Sequence, residues 1–117
     1  MNSRRDLKPA TEAHILRLKA QFVDTFAARA DQIEQWQDRC LADPPDRDAL
    51  KKLRTEVHQL RGSAGLYDLK ELFEEFDVLQ GELDTLLGQW PPRGLTAESR
   101  HRLHRVLQLM RFPGRFL

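Results

Sequence analysis

From Thr11 to Ala42 the chain runs without a glycine or a proline, and its apolar residues recur at steps of three and four. Ile15, Leu18, Phe22, Phe26, Ala30, Ile33, Trp36 and Cys40 make one stripe. That period marks an amphipathic helix, whose apolar face must be covered by another element. The run is long for a globular helix, so it is either one long helix or one bent or broken near Asp24-Thr25. Asp43-Pro-Pro-Asp46 ends it, because proline lacks the backbone donor and restricts the residue before it. Asp46 then reads as the N-cap of a second helix with the stripe Leu50, Leu53, Val57, Leu60 and Ala64.

Two more segments repeat the pattern. After a turn at Leu66-Tyr67, Asp68-Leu-Lys-Glu71 has the form of a capping box, with Leu69, Leu72, Phe73, Phe76, Leu79, Leu83 and Leu86 as the core face behind it. The acids of that helix, Glu71, Glu74, Glu75, Asp77, Glu82 and Asp84, read as a solvated face. Gly88 to Gly94 is the last linker, and Thr96 caps a final helix bearing Leu103, Val106, Leu107 and Met110 that stops before Pro113. No segment alternates as a strand would. Helices with one apolar stripe each, joined by short connections, predict an all-α fold: an antiparallel four-helix bundle with a long or bent N-terminal helix. Residues 1–10 and 113–117 are expected as tails and 11–112 as the bundle.

A length of 117 residues suits one domain. Nineteen basic against eighteen acidic residues leave a net charge of +1, which argues against a nucleic-acid binder. The single cysteine, Cys40, excludes an intramolecular disulfide and reads as a small, half-buried apolar residue. No apolar run reaches the roughly 18 residues of a membrane span, and MNSRRDLKPA has no apolar core behind its charges. The expectation is a cytoplasmic protein without a membrane partner. Trp36 and Trp90 read as core or linker-packing residues.

The second helix carries the chemistry. His58 projects roughly 120° from the centre of its apolar stripe at about 100° per residue. On the same face lie Lys51, Arg54, Arg61, Gly62 and Gly65. An exposed neutral imidazole is a nucleophile, and cations beside it suit a phosphoryl group carrying about −1.5 to −2 charge. The two glycines, each costing a helix about 1 kcal/mol against alanine, clear room for a docking partner. Each feature alone is commonplace on a surface helix; their coincidence leaves a structural and a functional reading evenly open.

The segment His58-Gln-Leu-Arg-Gly-Ser-Ala-Gly65 resembles the signature of histidine-containing phosphotransfer (HPt) domains, H-x-L-[KR]-G-[SA]-[SA]-x, with His58, Leu60, Arg61, Gly62, Ser63 and Ala64 in register. The resemblance extends over most of the chain. It implies a helical bundle that takes a phosphoryl group on His58 from a receiver-domain aspartate and passes it to another receiver. Arg61 would steady the phosphoryl oxygens and Gly62 would admit the receiver. Lys51 and Arg54 are candidates from the face geometry alone. The resemblance implies a carrier of phosphohistidine rather than an autonomous enzyme. It needs no cofactor of its own, since Mg²⁺ sits in the partner. Expected partners are response-regulator receivers and a hybrid histidine kinase. One departure stands out: HPt domains commonly have a glycine ten residues after the histidine, where this chain has Asp68, so an altered turn is expected there.

Other readings are a helical adaptor that binds a receiver or kinase without transfer, and the phosphoacceptor domain of a chemotaxis-type kinase. The amino terminus and short tail favour a small independent shuttle over the latter. A full kinase would need an ATP-binding domain for which there is no room. Metal binding through His101, His104 and the distant His14 is disfavoured, because zinc takes more ligands than this and Arg100, Arg102 and Arg105 repel a cation.

Overall fold

The computed structural model describes residues 9–42, 44–89 and 94–116. Their regular structure is entirely helical: α1 (Pro9–Asp24), α2 (Phe26–Cys40), α3 (Arg47–Leu66), α4 (Lys70–Leu87), α5 (Ala97–Arg111) and a closing 3₁₀ turn, Pro113–Phe116. Helix α1 starts at Pro9, and Pro113–Phe116 winds into the closing turn. Trp90 and Asp43 lie outside the described residues.

Helices α2, α3, α4 and α5 pack as a closed ring, each against the next and α2 against α5. The stripes read from the sequence turn inward. Ile33, Leu53, Val57, Leu60, Leu72, Phe76, Leu79, Leu83, Leu103 and Val106 have no exposed surface. Each such side chain contributes on the order of 1.5–3 kcal/mol relative to its exposed state, and their number is what holds four marginal helices together. Phe73 and Trp36 are only partly buried at the core's edge.

The first stripe is broken at Thr25. Its hydroxyl donates to the Phe22 carbonyl at 2.6 Å, and its own amide donates to the same oxygen at 3.0 Å. A threonine bonding back onto the preceding turn bends a helix, and here it separates α1 from α2. Only the last turn of α1 reaches the core, through Phe22 and Val23. Phe22 stacks edge-on against Phe26 and lies 5.5 Å from the Tyr67 ring.

The caps of α3 and α5 follow the sequence. Asp46 accepts from the Ala49 amide at 3.1 Å, and Thr96 accepts from the Ser99 amide at 3.0 Å. The start of α4 differs. Its N-cap position falls on Leu69, one residue beyond Asp68, and Leu69 has no group to cap with. Asp68 instead takes φ 56°, the left-handed region. The Leu69 amide donates to the Ala64 carbonyl at 2.9 Å and the Asp68 amide to Gly65 at 3.3 Å. This pair is a Schellman closure of α3, with Leu69 and Ala64 both buried as its apolar contact. Asp68 therefore occupies a conformation that favours glycine, and short polar side chains tolerate it.

Candidate functional site

The core stripe of α3 determines where its histidine goes. With Leu53, Val57, Leu60 and Ala64 buried, the residues one position ahead of each, Arg54, His58, Arg61 and Gly65, emerge at the edge facing α4. Helix α4 repeats the construction. One position ahead of buried Leu72, Phe76, Leu79 and Leu83 stand Phe73, Asp77, Gln80 and Asp84. The two edges meet in four rungs, with partners descending α4 as they ascend α3. Arg54 Nε donates to Asp84 Oδ1 at 2.7 Å, His58 Nδ1 lies 3.0 Å from Gln80 Oε1, and Arg61 Nε donates to Asp77 Oδ1 at 2.7 Å. The last rung is steric: a Cβ on Gly65 would stand 3.2 Å from Phe73 Cδ2.

His58 is exposed on α3. An Nδ1 that donates to the Gln80 carbonyl oxygen would leave the lone pair on Nε2. The neighbouring helix thus gives the ring a partner at Nδ1 and leaves its Nε2 edge without a hydrogen-bond partner among the described residues.

The flanking cations are not free. Arg54 is matched by Asp84, whose hydrogen bond holds the guanidinium above its usual pKa, against an opposing effect of burial and with a lesser contribution from the Asp84 charge. Arg61 is matched by Asp77, and its guanidinium also lies over the Phe73 ring, 5.1 Å from the centroid. Each arginine uses its Nε on the carboxylate. Lys51 is exposed, two turns before His58 on α3. It lines a cleft of about 240 Å³ between α2 and α3 with Trp36, Lys52, Thr55 and Gln59.

The two glycines separate in meaning. A Cβ on Gly65 would press on Phe73, so this glycine has an internal reason to be small. A Cβ on Gly62 would meet nothing within 4 Å. No contact among the described residues requires the bare surface one turn beyond His58. Gly81, next to Gln80 on α4, is equally unobstructed, and the sequence reading passed over it.

Reading the acids of α4 as a solvated face is corrected by these contacts. Asp77 and Asp84 pair with α3, while Glu75 and Glu82 pair with α5. Arg102 donates to Glu82 at 2.6 Å and to Glu75 at 3.0 Å, and the Ser99 hydroxyl donates to Glu82 at 2.7 Å. Arg105 also reaches Glu75, whose side chain is only 12% exposed. Two of the three arginines of the basic α5 stretch are thereby engaged within the fold. His101 and His104 are exposed on α5, and among the described residues no three His, Cys, Asp or Glu side chains are grouped to hold a metal ion. Cys40 is more deeply buried than the half-buried position expected, at 1% exposure. Burial, and secondarily the charge of Asp46, push its thiol up to about 11. No described helix is long and apolar enough to cross a membrane.

Sequence reasoning singled out His58, Arg61 and Arg54 and passed over the residues that face them from α4, Gln80, Asp77, Asp84 and Phe73. The signal for them was present: each stands one residue after a core position of α4, as the named residues of α3 do on their own helix.

No curated protein and no solved structure matches the chain. The family model described as Hpt domain matches residues 17–109, which take in the second half of α1, all of α2 to α4 and most of α5. The match spans most of the chain and contains the whole ladder, so the chain belongs to the Hpt-domain family.

Proposed function

We propose that this chain is a phosphoryl carrier that accepts on His58 from a receiver-domain aspartate and hands the group to a second receiver. Hpt domains serve histidine phosphotransfer in phosphorelays and interact with receiver domains. The observation that carries the assignment to this residue is the rung between His58 Nδ1 and Gln80 Oε1 at 3.0 Å on an exposed helix edge. It orients the ring and leaves Nε2 as the nucleophile. In the transfer, the Nε2 lone pair forms the N–P bond as the acyl-phosphate P–O bond breaks, and the electron pair stays on the donor carboxylate. The proton on Nδ1 remains in place, so the ring becomes cationic, and the Gln80 oxygen stabilises that cation. In-line phosphoryl transfer depends on positioning and charge stabilisation, and Arg61 and Arg54 flank the nucleophile to supply the second. Gly62 leaves the approach open. Lys51, two turns from the ring, contributes only to the long-range field.

The receiver supplies the aspartate and Mg²⁺; this chain supplies an oriented imidazole on a scaffold of four antiparallel helices, α2 to α5. The setting we infer is the cytoplasm, with a hybrid histidine kinase as one source of the phosphoryl group. The test is incubation with a panel of phosphorylated receiver domains. The expected result is an acid-labile, base-stable label that is abolished in His58→Gln and slowed about tenfold in Arg61→Ala, the scale of one charge-assisted hydrogen bond. A label that survives His58→Gln would end the proposal. An adaptor that transfers nothing would bind the receivers without acquiring label.

A further inference from the structure

Resting on that reading of His58, we infer that Asp77 and Asp84 tune the free energy of the phosphorylated state, holding it high enough for the group to leave again. Each is the only carboxylate paired with its arginine among the described residues, and the pairs stand one turn to either side of the imidazole. An incoming phosphoryl group must share Arg54 and Arg61 with these two anions. Both carboxylates are about half exposed, at 47% for Asp84 and 54% for Asp77, so neither is needed to satisfy a buried charge. Nor does the fold need them as the Arg102 cluster needs Glu75, at 12%. They are anions placed where an anion must arrive. By pairing with Arg54 and Arg61, they neutralise the two cations that would favour the phosphorylated form. A site whose two flanking arginines were unopposed would keep its phosphoryl group; here each has a carboxylate beside it.

Asp77 and Asp84 act through the arginines, so they are positioning residues, and their effect must vanish when the arginine is removed. Phosphoramidate serves as a partner-free donor: Nε2 forms the N–P bond as the bond from phosphorus to ammonia breaks, and ammonia leaves. The phosphorylated fraction of the full chain is measured by intact mass at fixed phosphoramidate and ammonium concentrations, and the lifetime of the label is followed after the donor is removed. For Asp77→Asn and Asp84→Asn the equilibrium constant should rise roughly fivefold each, the scale of one exposed charge interaction, with a longer lifetime. Asp77→Glu, which retains the charge, should stay near wild type. In an Arg61→Ala background, Asp77→Asn should change the constant by less than about twofold. An unchanged or lowered constant in both Asn variants would overturn the inference, as would a gain that persists without Arg61. Failure of the wild type to take label on His58 would instead overturn the phosphoacceptor reading beneath it.

Discussion

At the scale of single residues, the site is distinguished by what its side chains lack as much as by what they carry. Gly62 is the clearest case. It lies inside a 20-residue helix, where glycine is worse than alanine by about 1 kcal/mol, and an added methyl would meet no atom within 4 Å. Gly62→Ala should therefore raise stability by about 0.5–1 kcal/mol, read as a higher urea midpoint with an unchanged slope. The same variant should slow phosphotransfer from a receiver at least several-fold while leaving phosphorylation by phosphoramidate near wild type, since the small donor needs no docking surface. Stability and activity moving in opposite directions would identify the glycine as kept for approach. A variant that gains stability and transfers normally would show that the bare surface serves no partner. Gly65 makes the contrast, because its missing methyl is accounted for by Phe73 at 3.2 Å.

At the scale of elements, what could be read from the chain divides along a physical line. Burial is a property of one helix with its period, so the stripes through Val57, Phe76 and Val106 were legible, as were the caps at Asp46 and Thr96. The break at Thr25 was half legible: length left one long helix and a bend or break near Asp24-Thr25 both open, and a threonine hydroxyl bonded to Phe22 decides for the break. Pairing is a property of two helices and their register. Nothing within α3 indicates that Arg54 and Arg61 meet Asp84 and Asp77, and the exposed look of α4's acids concealed four ion-pair partners. The α3–α4 turn illustrates the same limit. Asp68 and Glu71 have the spacing of a capping box, yet what closes α3 is a pair of backbone bonds from Asp68 and Leu69, and this requires φ 56° at Asp68. An ordinary side chain there is strained by about 1–2 kcal/mol. Asp68→Ala should thus destabilise the bundle by about 1 kcal/mol in chemical unfolding, and by shifting the register of α4 it should also loosen the Gln80 contact to His58. Loss of stability with an unchanged unfolding slope, together with a faster-exchanging His58 ring in NMR, is the expected pair of signs. No loss at all would mean the turn relaxes to another closure.

At the scale of the whole molecule, the ladder sits at the surface of a core that is almost wholly apolar, and this separates the chemistry from the stability. The described helices keep their ionisable groups at the edges, where exposed pairs are worth little and are screened by salt. The buried exception is Cys40, at the end of α2, with its thiol pushed up to about 11 by burial and then by Asp46. Its consequence for the fold has a definite sign. In the unfolded chain a thiol ionises near its ordinary value, about 8.5, whereas in the folded chain it holds its proton until about 11. Between those values the unfolded state binds fewer protons than the native one, so stability falls as pH rises. The contribution of Cys40 is fully present below about pH 8 and is lost progressively toward pH 11. Urea unfolding of wild type and Cys40→Ala at pH 7.5 and pH 10 isolates this contribution from every other ionisable group, which both proteins share. The alanine variant should be less stable at pH 7.5 by about 1 kcal/mol, having lost a buried sulfur, and the gap should narrow or reverse at pH 10. In the native protein at pH 8 the thiol should react with a disulfide reagent far more slowly than after unfolding, since the thiolate is the reactive form. Because Cys40 lies on α2 and the ladder on α3 and α4, phosphorylation of His58 should leave that reactivity unchanged. A thiol that became reactive on phosphorylation would mean that the core opens when the surface is charged, and the separation of chemistry from stability would fail.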